Sequence, residues 1–458
     1  MRFLPRSPRG TWTLAALLWA AGSALLWWQL PLRPVAEWAA PQQVWVGYIP
    51  DRRAFVSLPF AMDNPNTGPL RFWEADSGRV VEWFDADEHV IKVVVSPNGK
   101  WAAVLHGRTE PAYSFQLFET ATGRVRSDLP RRADLEQVWP SFSPDSRWLA
   151  YAEQADGGTC VHVWDVDAGR VRRTLRAADG LLKVGPEVRL AFSADGRTLA
   201  VADHSREWTR EGARVQLWDW DAGRVTRTLV GPAAEWLPIS VGCWRLRFSP
   251  DGRHLTAEFH INEPKQTIRT EVWCWDVADG RATLQLPGQL AAVTADRLWV
   301  VDWDWAIQQQ AMEGWAYSGG REHRLPADGF VSFDGTTLAL ASAEPHPVRD
   351  WLTARGIHWP FGMHGSVRTR LVDGATGQLR CQLPGWVETG ECRPIDWTAF
   401  SPDGRLFAEA IPSGVRIWDV PPGKPLAWCA AGSALLALLI AGLARRRVRK
   451  LQRLVRFP

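Results

Sequence analysis

Three histidines within one short stretch offer the most obvious chemistry in this sequence. His346, His358 and His364 all lie in residues 343–366, which read AEPHPVRDWLTARGIHWPFGMHGS. Three imidazoles are able to bind zinc, but the spacings of 12 and 6 residues between them match no established zinc-ligand pattern. We therefore interpret the histidines as solvated loop residues and predict no metal. A cofactor- or metal-binding enzyme that uses residues 343–366 is the alternative.

Aromatic side chains in the same stretch are better candidates for a binding role. Trp351, Trp359 and Phe361 lie in residues 343–366, and Trp236 lies in another long connection. Exposed aromatic rings commonly anchor a protein partner, whereas buried ones form a small core of the loop itself. Both interpretations stay open, and we take these four residues together with His358 as the candidate partner-binding residues.

The six cysteines suggest structural uses rather than catalysis. Cys381 and Cys392 are close enough in sequence for a disulfide across one connection, if the compartment is oxidising. Cys243 and Cys274 fall on first and third strands of one repeat, which are not neighbours, so we expect no bond between them. The sequence contains no Cys-x-x-Cys, nucleophile elbow, Walker loop or His-Glu-x-x-His. We predict no catalytic residue and no cofactor.

An internal repeat determines which elements must position these residues. A phrase close to FSPDGR recurs, and each copy is followed by an apolar-Trp-Asp phrase that ends in a Gly-Arg turn. Successive copies are 40 to 57 residues apart, a period that indicates a repeat array. The clearest first halves are PDSR (144–147), ADGR (194–197), PDGR (250–253) and PDGR (402–405).

Each repeat predicts four short strands, and the array therefore predicts an all-β propeller over residues 33–420. Residues 188–229 show the pattern: apolar strands alternate with tight Asp-Gly and Ala-Gly turns. Eight third strands are recognisable, so we predict eight blades of four strands. Degenerate turns at residues 294–297 and 333–336 leave a seven-bladed alternative, in which one of these units is an insertion.

The N-terminal strand is predicted to complete the last blade. RPVAEW (33–38) resembles RVVEWF (79–84), the outer strand of the first blade, whereas the eighth blade has no outer strand of its own. This closure would remove two open sheet edges. Long, varied connections then fall on one face of the propeller and short turns on the other. Because loops on a rigid scaffold commonly carry function, we expect a partner to bind the face with the long connections.

Two uncharged segments flank the predicted propeller. Residues 11–32 and 425–444 are each close to the ~20 residues that a helix needs to cross a bilayer. Basic tips at 1–10 and 445–458 predict that both ends are cytoplasmic and the propeller is outside. We therefore expect a bacterial inner-membrane protein that contacts lipid through two helices. A cleaved signal peptide is the rival interpretation of the first segment.

Charge excludes one class of partner. The overall net charge is +3, but the two tips carry 3 and 7 positive charges, so the region between them is net negative. Affinity for nucleic acid depends on clustered Lys and Arg. We therefore predict no nucleic-acid partner, and expect a protein or an envelope polymer.

The repeated phrases resemble those of the WD-repeat (beta-transducin-like) family over roughly residues 43–420. The Trp-Asp dipeptides that carry the resemblance are Trp164–Asp165, Trp218–Asp219, Trp275–Asp276 and Trp418–Asp419. The Gly-His dipeptide of the family is absent, so the chain resembles a divergent bacterial branch without the Asp-His-Ser-Trp tetrad. The resemblance implies that these residues are structural and that the propeller is a non-catalytic platform for protein partners.

Eight-bladed propellers also include quinone-dependent dehydrogenases. EADSG (74–78) and ETATG (119–123) resemble the start of the docking motif of that family. That motif has a Trp four residues after the Gly, and this chain has Glu82 and Ser127 there instead. The difference argues against a quinone-dependent dehydrogenase. A membrane-anchored, non-catalytic scaffold in the cell envelope is therefore our functional hypothesis.

Overall fold

The computed structural model describes most of the repeat region and only scattered positions near the two termini. The described residues are 32–40, 43–59, 69–83, 89–107, 114–129, 139–155, 158–176, 188–205, 213–232, 240–262, 268–304, 309–326, 331–333, 337–343, 366–373, 376, 378–383, 387–388, 398–411 and 414–422, with isolated positions in 13–23 and 434–446. Contacts divide the chain into one unit of residues 35–417 and another of residues 1–34 with 418–458.

Strands rich in apolar residues alternate with glycine-containing turns, and the described residues form 33 strands, numbered here in chain order. The first blade consists of β2 (Gln43–Ile49), β3 (Ala54–Pro59), β4 (Leu70–Glu74) and β5 (Val80–Trp83), and the second of β6 (His89–Val95), β7 (Trp101–Gly107), β8 (Ser114–Glu119) and β9 (Arg124–Asp128). The third blade consists of β10 (Ser141–Phe142), β11 (Trp148–Ala155), β12 (Gly158–Asp165) and β13 (Arg170–Leu175). The fourth consists of β14 (Val188–Phe192), β15 (Thr198–Ser205), β16 (Arg214–Asp219) and β17 (Arg224–Val230).

The other four blades follow the same order. They consist of β18 (Ser240–Phe248), β19 (His254–Asn262), β20 (Ile268–Asp276) and β21 (Ala282–Pro287); β22 (Gln289–Val293), β23 (Arg297–Asp304), β24 (Gln309–Ala316) and β25 (Gly320–Pro326); β26 (Val331–Phe333), β27 (Thr337–Ala343), β28 (Ser366–Asp373) and β29 (Leu379–Gln382), with β30 (Val387–Glu388) beside β28; and β31 (Thr398–Phe400), β32 (Leu406–Ile411), β33 (Gly414–Asp419) and β1 (Ala36–Trp38). One 3-10 turn spans Pro50–Arg52.

The fold is an all-β propeller of eight four-stranded antiparallel blades, as the repeats predict. The units with degenerate turns each form their own sheet, β22–β25 and β26–β29, so the seven-bladed alternative is wrong. Apolar side chains on the two faces of each sheet pack against the neighbouring blades. One such cluster joins Ala150 and Val163 of the third blade to Leu199 and Trp218 of the fourth.

The predicted closure by the N-terminal strand is confirmed. β1 pairs antiparallel with β33, with Ala36 opposite Ile417 and Trp38 opposite Val415. Side chains of the first and last blades then share one core cluster, in which Trp45 and Phe55 are grouped with Ala408. The N-terminal strand therefore gives the eighth blade its fourth strand.

A serine and an aspartate explain why the FSPDGR phrase forms a tight turn. In the third blade Ser143 Oγ donates to Asp145 Oδ1 and accepts the backbone N–H of Trp148, while Asp145 Oδ1 also accepts the N–H of Arg147. Four other blades repeat these bonds. Their residue pairs are Ser96–Asn98, Ser193–Asp195, Ser249–Asp251 and Ser401–Asp403.

In the Trp-Asp dipeptides the tryptophan packs in the core, and the aspartate hydrogen-bonds to the backbone of the following turn. Trp164, Trp218, Trp275 and Trp418 are all buried at the ends of third strands. Their aspartates precede the next turn, and Asp165 Oδ1, for example, accepts the backbone N–H of Ala168 at 2.9 Å. Such an Asx cap satisfies a backbone donor that would otherwise lack a partner.

The first blade retains part of the hydrogen-bond chain that the sequence suggested was absent. Trp73 Nε1 donates to Ser57 Oγ at 2.7 Å, and that hydroxyl donates to Gln43 Oε1 at 2.7 Å. All three side chains are buried. The Trp73–Ser57 bond therefore resembles the Trp–Ser part of that tetrad, and Gln43 is the acceptor for the serine hydroxyl.

No helix among the described residues has the length and apolar character that a bilayer crossing requires. Most of residues 11–32 and 425–444 lie outside the described part of the chain, although residues 19–23 are helical. The two predicted membrane segments therefore remain predictions.

Candidate functional site on the innermost strands

In blades two to five, one shared position on or just before the first strand carries a large basic or aromatic residue. This position lies four residues before the turn serine and is occupied by Lys92, Trp139, Arg189 and Arg245. A β-bulge between Cys243 and Arg245 contains Trp244, which we include in the same group. First strands line the central channel of a propeller. We call Lys92, Trp139, Arg189, Trp244 and Arg245 the inner belt.

Two cations of the inner belt share one aromatic ring. Lys92 Nζ, from the second blade, lies 2.7 Å from the centroid of the Trp139 ring. Arg189 Cζ, from the fourth blade, lies 3.9 Å from a Trp139 centroid. Each such cation–π contact contributes about 0.5–1 kcal/mol at an exposed site and more when water is excluded. Trp139 therefore links three consecutive blades and concentrates positive charge beside itself.

Each arginine of the inner belt donates a hydrogen bond to a backbone carbonyl of the next blade. Arg189 Nε donates to the carbonyl of Trp244 at 2.9 Å. Arg245 Nη1 in turn donates to the carbonyl of Leu290 in the sixth blade at 2.5 Å. Guanidinium groups held by hydrogen bonds lose little further freedom when they bind a ligand, so the belt is preorganised.

The two tryptophans of the inner belt are unusually exposed for this protein. Trp139 is 38% exposed and Trp244 46%, whereas the tryptophans of the Trp-Asp dipeptides are buried. Trp244 stacks on the His260 ring, with centroids 4.5 Å apart and planes 21° apart. Exposed rings supported from behind are typical anchors for a partner, because they bury apolar area at a low entropic cost.

A buried carboxylate partly balances the belt. Glu258 is 4% exposed and its Oε2 lies 3.8 Å from Arg245 Nη1. Burial alone would raise the pKa of Glu258, but the hydrogen bond from His260 and the charge of Arg245 outweigh it and hold the pKa below its ordinary value. Glu258 is therefore ionised at neutral pH and offsets Arg245. Lys92 and Arg189 contribute two further positive charges to the belt.

A cleft of about 820 Å³ between the third and fourth blades has a different character. It lies at the short turns, and its acidic and basic side chains are interleaved. Ion pairs such as Arg172–Asp221 at 3.1 Å and Arg147–Asp165 at 3.9 Å neutralise much of its charge. The inner belt, with exposed rings and fixed cations, is the stronger binding candidate.

The residues that the sequence marked as partner-binding lie outside the described part of the chain. These are Trp236, Trp351, His358, Trp359 and Phe361, and His346, His364 and Cys392 lie outside it too. Cys381 is a free thiol in the structure, and Cys392, with which a disulfide was considered, lies outside the described residues. Cys243 and Cys274 are unbonded to each other, as expected.

Sequence reasoning missed the inner belt, although a signal for it existed. Aligning the repeats on their turn serines places Lys92, Trp139, Arg189 and Arg245 in one column. That column differs in residue type from blade to blade, so the repeat pattern alone did not single it out. The predictions from sequence also missed a group of side chains with metal-ligating atoms in the third blade, formed by Glu153, Cys160 and His162.

Comparisons with known proteins support the fold. No family model and no curated protein matches the sequence. Among solved structures, the Dos1 propeller is 10% identical over 85% of this chain and 95% of that chain, with a TM-score of 0.51. A eukaryotic initiation factor is 14% identical over 84% and 87% of the two chains at a TM-score of 0.48. The Myceliophteria thermophila Cps50 (Swd1) β-propeller domain is 14% identical over 85% and 99% at 0.43. At such low identity the likeness to the Dos1 propeller shows the fold alone.

Proposed function

We propose that this chain is a non-catalytic binding platform whose inner belt holds an acidic, extended segment of a partner protein. The observation that carries the proposal is the pair of exposed rings, Trp139 and Trp244, set among cations that neighbouring blades fix in place. An acidic segment supplies a carboxylate for Lys92, and its apolar side chains pack on the rings, while the buried Arg189 holds Trp139 and the Trp244 backbone in place.

The position of the belt agrees with the face where we expect a partner. Trp139 and Arg189 directly follow the connections 130–138 and 177–187, which join outer strands to the next inner strands. The start of an inner strand lies beside the end of its second strand, as Val188 lies opposite Asp203, and in the seventh blade the second strand ends at Ala343, where residues 343–366 begin. A segment held by the belt would therefore also meet the connections in which the sequence places Trp236, Trp351, His358, Trp359 and Phe361.

Binding of labelled peptides tests this function. The full chain would be titrated into a fluorescein-labelled peptide of alternating Glu and Phe, and anisotropy recorded at low and physiological salt. We expect saturable binding that weakens with salt, because exposed ion pairs are screened. Arg189→Gln and Trp139→Ala should each weaken binding at least 10-fold. Arg253→Gln, which alters an exposed turn arginine, should not change it.

Two results would refute the proposal. One is peptide affinity that is the same for Arg189→Gln as for Arg253→Gln, provided that thermal melts show both variants folded. The other is stronger binding of a single-stranded oligonucleotide of matched charge, since cations and stacked rings also suit unpaired bases. Lys92→Gln provides a second belt variant in case Arg189→Gln fails to fold.

We also propose that both termini anchor the propeller to the outer side of a bacterial cytoplasmic membrane. Uncharged segments at 11–32 and 425–444 with basic flanks support this topology. Fusions of a periplasm-active reporter at Ser77 and after Pro458 test it. Activity at Ser77 alone is expected, and activity after Pro458 alone would make the propeller cytoplasmic.

A further inference from the structure

Cross-strand register in the third blade gathers three metal-ligating side chains that are not adjacent in sequence. β11 and β12 pair antiparallel, with Glu153 opposite Cys160 and Tyr151 opposite His162. Residues that face each other across an antiparallel pair point to the same side of the sheet, and so do residues two apart on a strand. Glu153, Cys160 and His162 therefore all lie on one side of the blade. Tyr151 on that side packs against Phe115 of the second blade.

The ligand atoms of these three residues converge. Glu153 Oε2 lies 2.7 Å from His162 Nε2, and Cys160 Sγ lies 3.4 Å from the same nitrogen. All three ligand atoms are within 4.8 Å of one another. Zinc bonds of 2.0–2.3 Å at a tetrahedral angle place ligand atoms roughly 3.3–3.6 Å apart. A small change in side-chain torsion would thus let one ion replace the proton between Glu153 and His162.

A hydroxyl on the neighbouring strand orients the imidazole for this role. His162 Nδ1 lies 2.9 Å from Thr174 Oγ1, and Thr174 is opposite His162 in the β12–β13 pair. When Nδ1–H donates to the Thr174 hydroxyl, the lone pair of Nε2 points toward Glu153 and Cys160. Metal-binding histidines typically have such a partner on the nitrogen that does not bind the metal.

Burial distinguishes the cluster from ordinary surface acids. Glu153 and His162 are each 12% exposed and Cys160 is 5% exposed. The ring of Tyr151 lies 5.2 Å from the His162 ring, and its buried hydroxyl has no hydrogen-bond partner among the described residues.

We propose that Glu153, Cys160 and His162 form a binding site for Zn²⁺ on the third blade, with one coordination position left for a ligand from outside this trio. A thiolate, an imidazole and a carboxylate together suit a borderline divalent transition metal, whereas Mg²⁺ and Ca²⁺ prefer oxygen ligands alone. Binding releases the Cys160 thiol proton and the proton shared between His162 and Glu153. This inference does not depend on the proposed function.

The fifth blade contains a natural comparison. Glu258 Oε1 lies 2.8 Å from His260 Nε2, but Glu258 Oε2 also accepts the backbone N–H of Leu290 at 2.9 Å. Arg245 supplies a positive charge to the same carboxylate, and within the described part of the chain no cysteine joins the pair in a metal-ligating group. An acid–histidine pair satisfied in this way is structural. The third-blade cluster differs from it by the thiol at hydrogen-bond distance from the imidazole.

Cobalt substitution provides a direct test. Purified full-length protein would be stripped with a chelator, titrated with Co²⁺ at neutral pH, and then with Zn²⁺. We expect a near-ultraviolet thiolate-to-cobalt band and visible bands of a tetrahedral ion, which Zn²⁺ abolishes at one equivalent. Because the bound form has lost protons, affinity should fall when the pH is lowered from 8 to 6.

Matched variants separate this site from adventitious binding by other histidines. Cys160→Ser should abolish the thiolate band, Glu153→Gln should weaken Zn²⁺ binding about 100-fold, and Thr174→Val about 10–100-fold, as loss of an outer partner of a ligating histidine does. Cys243→Ser and Glu258→Gln should leave the spectrum unchanged. Folded wild-type protein without a thiolate band, or a band that survives Cys160→Ser, would overturn the proposal.

Discussion

Arg416 Nε donates a 2.9 Å hydrogen bond to Glu37 Oε1, and the two residues are 379 positions apart in sequence. The pair lies across β1 and β33, where the N-terminal strand completes the eighth blade. Glu37 is half exposed, and exposed ion pairs contribute only about 0.2–1 kcal/mol. Backbone pairing and the apolar cluster between the first and last blades therefore hold the closure.

Gly414→Ala should weaken this closure. A Cβ on Gly414 would overlap the carbonyl oxygen of Trp38, so β1 would have to move away from β33. We expect a loss of about 1–3 kcal/mol in the free energy of unfolding, typical of overpacking, measured by urea denaturation. Gly320→Ala is the control, because a Cβ there meets open space. Equal stability of the two variants would show that the N-terminal strand does not pair as described.

The fold was largely predictable because its signals are local and repeated. Ser143 and Asp145 bond within their own turn, so FSPDGR identifies a turn wherever it occurs, and similar outer strands at 33–38 and 79–84 revealed the closure. The inner belt and the metal-ligating cluster were not predictable in the same way. They arise from contacts between strands or blades, such as Lys92 with Trp139, and the register that creates those contacts is fixed by the folded propeller.

The two residues of a Trp-Asp dipeptide should differ sharply in their contribution to stability. Trp218 is fully buried between blades, so Trp218→Ala should cost about 3–5 kcal/mol. Asp219 Oδ1 accepts one backbone N–H, that of Ala222 at 3.1 Å, so Asp219→Ala should cost about 1 kcal/mol. Urea denaturation monitored by circular dichroism measures both. Val230→Ala, at an exposed outer-strand position, should change stability by less than about 0.5 kcal/mol.

The serine–aspartate turns should make the propeller sensitive to acid. The hydrogen bond from the Ser193 hydroxyl is the main cause that holds the pKa of Asp195 below its ordinary value. A carboxyl whose pKa is lower in the folded state stabilises the fold above its unfolded pKa, near 4, and loses that contribution as the pH falls through the folded pKa. The turns of the fifth and eighth blades, with Asp251 and Asp403, add to the effect.

Ser193→Ala tests this dependence on pH. The variant should lose about 1 kcal/mol of stability at pH 7, and the difference from wild type should shrink below pH 4, because protonated Asp195 no longer makes the charged bond. Stability would be followed by thermal melts between pH 2 and pH 7. Ser318→Ala, at an exposed turn position, is the control. A difference that stays constant from pH 7 to pH 2 would rule out the carboxylate as its source.

The thiol of Cys381 should react slowly with alkylating agents in the folded protein. Burial is the main cause that raises its pKa to about 11, and the opposing effects of the Leu371 backbone and Arg380 are smaller. Because the thiolate is the nucleophile, a pKa about two units above the ordinary value reduces the rate near pH 8 about 100-fold. Iodoacetamide labelling of the peptide that contains Cys381, quantified by mass spectrometry, measures this rate.

The same labelling experiment distinguishes a protected thiol from a disulfide. A free Cys381 should become reactive when the pH is raised toward 10.5, and in urea at pH 8 it should react at the rate of an ordinary cysteine. A disulfide to Cys392 would block labelling under both conditions until a reductant is added. Rapid labelling of folded protein at pH 8 would instead mean that β29 leaves Cys381 open to solvent, contrary to its half-buried position beside Leu371.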